Sequence, residues 1–178
     1  MANNAKKYII TAVTLGVIAA ASAGLIDLTN LLTAKQIQKN EQNKIKAGIV
    51  EIFADDAEIL EEKPISDKSL KYTNYEYTLN KGVAYRTTCS NMYGKFSMLV
   101  GYVYMIRPGD TEGDYLFAGI YLITNEQTYA STLNENYVTP LNNDDIKYDD
   151  VKCGATYGAT LIRDMIEETN NIIGAVKQ

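Results

Sequence analysis

The sequence predicts an α+β protein: an N-terminal transmembrane helix and stalk helix, an antiparallel sheet of about four strands, and a C-terminal amphipathic helix. Three observations predict it. A long apolar run opens the chain, a stretch rich in tyrosine, valine and threonine follows, and an apolar stripe at helical spacing comes near the end.

The apolar run extends from Tyr8 to Ile26 and is interrupted only by Thr11, Thr14 and Ser22. Those hydroxyls can be satisfied on the helix's own carbonyls. At ~1.5 Å per residue the run is roughly 28 Å long, close to the ~30 Å hydrocarbon core of a bilayer. Lys6 and Lys7 precede it and Asp27 closes it. The positive-inside rule therefore expects a single-pass cell-membrane protein with a cytoplasmic N-terminus and an extracytoplasmic main domain. Ala21-Ser22-Ala23 before Gly24 also has the form of a signal-peptide cleavage site. The run continues past that site, which favours a retained anchor.

From Leu28 to Phe53 the apolar residues Leu28, Leu31, Leu32, Ile37, Ile45, Ile49 and Phe53 recur at spacings near three and four, as in a helix. Between Gln36 and Lys46 the pattern turns polar, as expected of a solvated stalk. Ala54 to Lys68 is acidic, and Pro64 interrupts it, so it reads as a short helix and then a loop. Strands are expected at Lys71–Leu79, Val83–Thr88, Lys95–Ile106 and Tyr115–Thr124. Asn80-Lys81-Gly82 and Arg107-Pro108-Gly109-Asp110 supply turns. Thr124 to Asp150 reads as irregular. Ala155 to Val176 reads as a helix with Leu161, Ile162, Met165, Ile166, Ile172, Ile173 and Val176 on one side. The expected organisation is an anchor over residues 1–27, a stalk and acidic connector over 28–69, and a folded domain over 70–178.

Composition narrows the function. The 178 residues carry a net charge of −5, which argues against nucleic acid as a partner. Histidine is absent, so the commonest general base and transition-metal ligand is missing. No metal site and no catalytic residue is expected, and any chemistry is expected of a bound cofactor or of hydroxyls and carboxylates. Cys89 and Cys153 are too far apart for a CxxC pattern, and two free thiols are the simpler reading. Most of the fourteen tyrosines are expected to tile sheet faces, with one or two left for a cofactor.

The segment Asp150-Val151-Lys152-Cys153-Gly154-Ala155-Thr156-Tyr157-Gly158 lies where the last helix begins. A helix N-terminus offers N–H groups and partial positive charge to an anion, and small residues such as Gly154 and Ala155 admit a phosphate to the backbone. Thr156 then presents a hydroxyl in the first turn. The alternative is a plain helix start with Thr156 or Cys153 near the cap.

This segment resembles the flavinylation motif of the FMN-binding domain family. That family includes the G subunit of the Rnf electron-transport complex and the C subunit of the sodium-translocating NADH:quinone reductase. Its pattern is Asp, two variable residues, Ser or Thr, Gly, Ala, Thr or Ser, one variable residue, then Thr or Ser. Asp150, Gly154, Ala155 and Thr156 match, whereas Cys153 and Gly158 depart. The resemblance implies that a separate flavin transferase esterifies the FMN phosphate to Thr156. Thr33 and Ile37 match the spacing of a family helix, and Asn125-Glu126-Gln127-Thr128-Tyr129 takes the place of a flavin-side loop. The implied cofactor-binding residues are thus Thr156, Gly154, Ala155, Cys153, Asp150, Tyr157, Glu126 and Thr128. The implied role is an electron-relaying flavoprotein subunit among the membrane subunits of an Rnf-type oxidoreductase complex. The second reading is a diverged structural or assembly subunit without flavin, suggested by Cys153 and Gly158. A stand-alone hydrolase or transferase is a third, weakened by the absent histidine.

Overall fold

The computed structural model describes residues 2–106 and 113–174. The expected turn at Arg107 to Asp110, and Val176, lie outside them. The chain divides into two units, Met1–Asn43 and Lys44–Gln178.

One helix, α1, runs from Ala2 to Phe53 without a break. The expected anchor and stalk are therefore continuous helix, because nothing between Ile26 and Leu28 breaks the backbone pattern. Thr11, Thr14 and Thr29 donate their hydroxyls to the carbonyls of Lys7, Ile10 and Leu25 at 2.8–3.0 Å, each four residues back. This is how a hydroxyl is satisfied where water is missing. Leu15, Val17, Ile18, Leu25 and Ile26 are all exposed. The helix is long and apolar enough to cross a membrane, consistent with single-pass anchoring.

In the second unit, the last turns of α1 pack on a five-stranded antiparallel sheet in the order β1-β2-β3-β4-β5. The strands are β1 Ile59–Pro64, β2 Thr73–Leu79, β3 Gly82–Asn91, β4 Gly94–Met105 and β5 Asp114–Asn125. Each strand pairs with the next, so the sheet is a simple meander. β1 corrects the expected helix and loop over the acidic stretch. Its Leu60, Glu61, Glu62, Lys63 and Pro64 are exposed, as befits an edge strand guarded by charges and ended by proline.

Alternation along β4 divides the core in two. Phe96, Met98, Val100 and Tyr102 face one side, and Leu99 faces the other with Ile45, Ile49 and Phe53 of α1. Gly48 lets the α1 backbone lie close to the sheet, since a Cβ there would be 2.5 Å from Tyr121 Cδ1 and 2.9 Å from Leu99 Cδ1. Gly101 does the same from below, its missing Cβ standing 2.5 Å from Ile52 Cγ2 and 2.9 Å from Phe53 Cζ. A Gly101→Val substitution is expected to push the end of α1 off the sheet and destabilise the domain by about 1–3 kcal/mol. Urea unfolding of the variant beside the parent checks this, and an unchanged midpoint would show that the contact gives way freely.

The opposite face is covered by two helical elements. The segment expected to be irregular contains α2 Ala130–Leu133, a π-helical turn Asn134–Val138 and α3 Thr139–Asn142. It buries Leu133, Tyr137, Val138 and Leu141. Pro140 has no N–H to donate, and the wide turn just before it, closed by the Thr139 N–H on the Asn134 carbonyl, absorbs that loss. The last helix, α4, spans Thr156–Ile173 and ends at Gly174, whose φ of +66° suits glycine. It buries Leu161, Ile162, Met165 and Ile166. Its polar side is tied down too. The Tyr102 hydroxyl lies 2.6 Å from the Thr169 hydroxyl and donates to Asn170 Oδ1 at 2.8 Å.

A second tie joins α4 to the start of β2. The Glu168 carboxylate accepts the N–H groups of Lys71 (2.7 Å), Tyr72 (3.0 Å) and Thr73 (2.7 Å), and the Thr73 hydroxyl (2.6 Å). Burial alone would raise this carboxyl, but the Thr73 hydroxyl and the three N–H groups together outweigh it and hold it below its ordinary value.

Candidate functional site

The turn before α4 is built by short backbone contacts. The N–H of Asp150 reaches the Lys147 carbonyl at 3.0 Å and that of Cys153 the Val151 carbonyl at 3.1 Å. Asn136 Nδ2 donates to the Cys153 carbonyl at 3.2 Å, fixing the turn to the helical segment behind it. Gly154 then takes φ +82°, a conformation that a side chain resists. Ala155 caps α4, and no side chain satisfies the helix end there. The first N–H groups of a helix have no carbonyl within the helix to bond, so this end is electropositive.

Thr156, the first residue of α4, is exposed. It stands on the wall of a cavity of about 320 Å³, together with Tyr93, Gln127, Thr128, Tyr129, Gly154, Ala155, Tyr157 and Gly158. Three separate parts of the fold meet here: the β3–β4 turn, the segment after β5, and the start of α4. The structure thus brings five of the residues nominated from sequence to one cavity: Thr156, Gly154, Ala155, Tyr157 and Thr128.

The other three nominated residues are placed elsewhere. Cys153 is buried in the core beneath the turn, and both it and Cys89 are free thiols. Asp150 is exposed, outside the cavity lining. Glu126 works on the backbone: its Oε2 accepts the Lys95 N–H at 3.1 Å, and its own N–H reaches the Lys95 carbonyl at 3.1 Å. It thereby locks the end of β5 against the β3–β4 turn, one residue before the cavity wall begins.

Gly158 fits its surroundings sterically. A Cβ there would lie 2.7 Å from Gln127 Oε1 and 2.7 Å from Leu133 Cδ2. The space next to this position is filled by the Gln127 side chain, whose Nε2 is buried without a protein acceptor. Gln127, Tyr93 and Tyr129 are the lining residues that sequence reasoning did not single out. Gln127 and Tyr129 flank the nominated Thr128. Tyr93 is far away in sequence, and no local pattern ties it to Thr156.

Residues 1–52 match the family model described as the RnfG N-terminal region. The N-terminal region is RnfG-like. The match covers nearly the whole of α1, including its long apolar run. Searches of curated proteins and of solved structures returned no match. The RnfG-like segment lies within α1, so the cavity around Thr156 is described by its own geometry alone.

Proposed function

We propose that this RnfG-like chain carries FMN as a phosphoester on Thr156 and relays electrons between membrane subunits of an Rnf-type complex. The observation that carries the reading is the place of Thr156: an exposed hydroxyl on the first turn of an uncapped helix, opening onto a cavity. The residues around it fit the group. Gln127 Nε2 is a buried donor without a protein partner, and such donors normally find one. Gly154, at φ +82°, places no side chain of its own on the cavity wall just before the helix end.

FMN supplies one- and two-electron transfer when bound. The protein's part is to hold and position it. Thr156 Oγ would give up its proton and displace the nucleotide leaving group from the phosphorus of an activated flavin dinucleotide donor, in a reaction that the separate transferase catalyses. The α4 N-terminus then stabilises the phosphodiester charge, an effect of about 0.3–1 kcal/mol at an exposed helix end. Thr128 and Gln127 bring polar side chains to the same cavity. A covalent link keeps the flavin in place on the outer side of the membrane, where Lys6 and Lys7 direct the domain by the positive-inside rule. The partners are membrane subunits reached laterally through α1, and a flavin transferase for maturation.

One observation favours the alternative of a flavin-free structural subunit. Gly158 stands where the motif closes with a hydroxyl, and its neighbours leave little room for one. Intact mass separates the two. Full-length protein co-expressed with a flavin transferase and then denatured is expected to gain FMN less water, on the order of 440 Da. No gain, with an active transferase and folded protein, removes the flavin reading and leaves the structural one.

A further inference from the structure

The cavity beside Thr156 is walled by more aromatic surface than an attached phosphate requires. Tyr93 comes from the β3–β4 turn, Tyr129 from the segment after β5, and Tyr157 from α4. All three are substantially exposed, at 46%, 64% and 50%, while Tyr77, Tyr85, Tyr102 and Tyr137 are buried in the core. Two of the three are already set in place. The Tyr93 and Tyr157 rings have centroids 4.6 Å apart at 50°. Asn91 Nδ2 donates to the Tyr157 hydroxyl at 3.1 Å, and Asn91 Oδ1 accepts the Tyr93 N–H at 2.8 Å. One asparagine thus ties the Tyr157 hydroxyl to the backbone of Tyr93, and the two rings pack on each other.

Exposed aromatic rings gathered around a cavity are suited to a flat aromatic ligand. Offset stacking rewards a planar π system, and less conformational entropy is lost where two of the rings already pack on each other. We infer that Tyr93, Tyr129 and Tyr157 form the seat of the isoalloxazine ring, with Thr156 holding the phosphate end of the same molecule. This assignment rests on the flavin reading above and adds the residues that hold its ring. Tyr129 stands on the segment after β5 and the Tyr93–Tyr157 pair on the β3–β4 turn and α4, so the seat draws on both sides of the cavity. The partial exposure of all three leaves a ring edge open to solvent, the side from which a redox partner can approach.

Tyrosine in van der Waals contact with an excited flavin quenches its emission by reversible electron donation, so fluorescence reports the contact directly. The experiment compares the full-length flavinylated protein with Tyr93→Leu, Tyr129→Leu and, as a control away from the cavity, Tyr104→Leu. The expected result is weak emission in the parent, a several-fold rise in the first two variants, and no rise in the control. Emission unchanged in both site variants, or raised equally in the control, overturns the assignment while the mass gain keeps the flavin reading. If the parent acquires no covalent flavin, riboflavin, which lacks the phosphate, is titrated into the same full-length chain in detergent. Saturable quenching that weakens about fivefold or more in the Tyr93 and Tyr129 variants sustains the ring seat without the ester. Absence of saturable quenching, or equal quenching in the variants, overturns it.

Discussion

Thr156→Ala is expected to abolish the proposed flavin attachment completely and to leave the fold intact. The loss is total because an ester needs the hydroxyl oxygen, and alanine has none to offer. The fold survives because the Thr156 side chain is exposed and is not the cap of α4, a position held by Ala155. Exposed substitutions of this kind usually stay within about 0.5 kcal/mol. Thr156→Ser is the informative partner, since it keeps the oxygen at the same place on the helix and is expected to retain the mass gain. Intact mass and in-gel flavin fluorescence read both variants, and urea midpoints show that they fold alike. A mass gain that persists in Thr156→Ala would move the attachment to another hydroxyl, and one lost equally in Thr156→Ser would mean that the methyl is recognised too.

The second large effect concerns stability. Glu168→Ala removes the acceptor for three backbone N–H groups and the Thr73 hydroxyl at once. Thr73 and Tyr72 are buried, so water cannot fully replace the carboxylate there. Hydrogen bonds to a charged group are worth about 1.5–3 kcal/mol, and the donors left behind add a desolvation cost, so a loss of about 3 kcal/mol is expected. Glu168→Gln keeps an acceptor but not the charge and is expected to lose less. The pH dependence follows from the lowered carboxyl. A group whose value is depressed by folding contributes its full stability above its unfolded-state value, and loses it as pH falls through the folded-state value. The gap between parent and Glu168→Gln should therefore be constant from neutral pH down to the ordinary carboxylate range and shrink below it. Urea midpoints measured along that range check the sign, and a gap that widens towards acid would refute the assignment.

Much of the sheet was legible in the sequence because β3 to β5 are packed on both faces and β2 on one. Their tyrosine, valine and isoleucine content reflects that burial, and the turn residues between β2 and β3 mark the ends. β1 was not legible. As an edge strand it pairs on one side only, and Glu61, Glu62 and Lys63 are the charges that keep it from pairing further. The segment from Ala130 to Asn142 hid for another reason. Its asparagines, threonines and Pro140 are poor helix formers, and the helix is held by the burial of Leu133, Tyr137, Val138 and Leu141 against the sheet. At the site, residues adjacent in sequence were legible and residues adjacent only in space were not. Thr156, Gly154 and Ala155 could be read from one motif. Tyr93 reaches the same cavity only because β3 and β4 extend far enough for their turn to meet α4, and that distance is not written in any local pattern.

The meander has a consequence for how the protein is made. Each strand pairs with its immediate successor, so the sheet can assemble hairpin by hairpin as the chain is synthesised. Its face of Phe96, Met98, Val100 and Tyr102 stays only partly covered, by the segment from Ala130 to Asn142, until α4 arrives, because α4 is translated after every other element. For that interval the nascent domain shows an apolar surface to chaperones and proteases. Thr156 opens α4, so its cavity comes into being only when that helix docks. A modifying enzyme that recognised the cavity would therefore meet finished domains alone, and the order of synthesis would itself keep modification from preceding the fold.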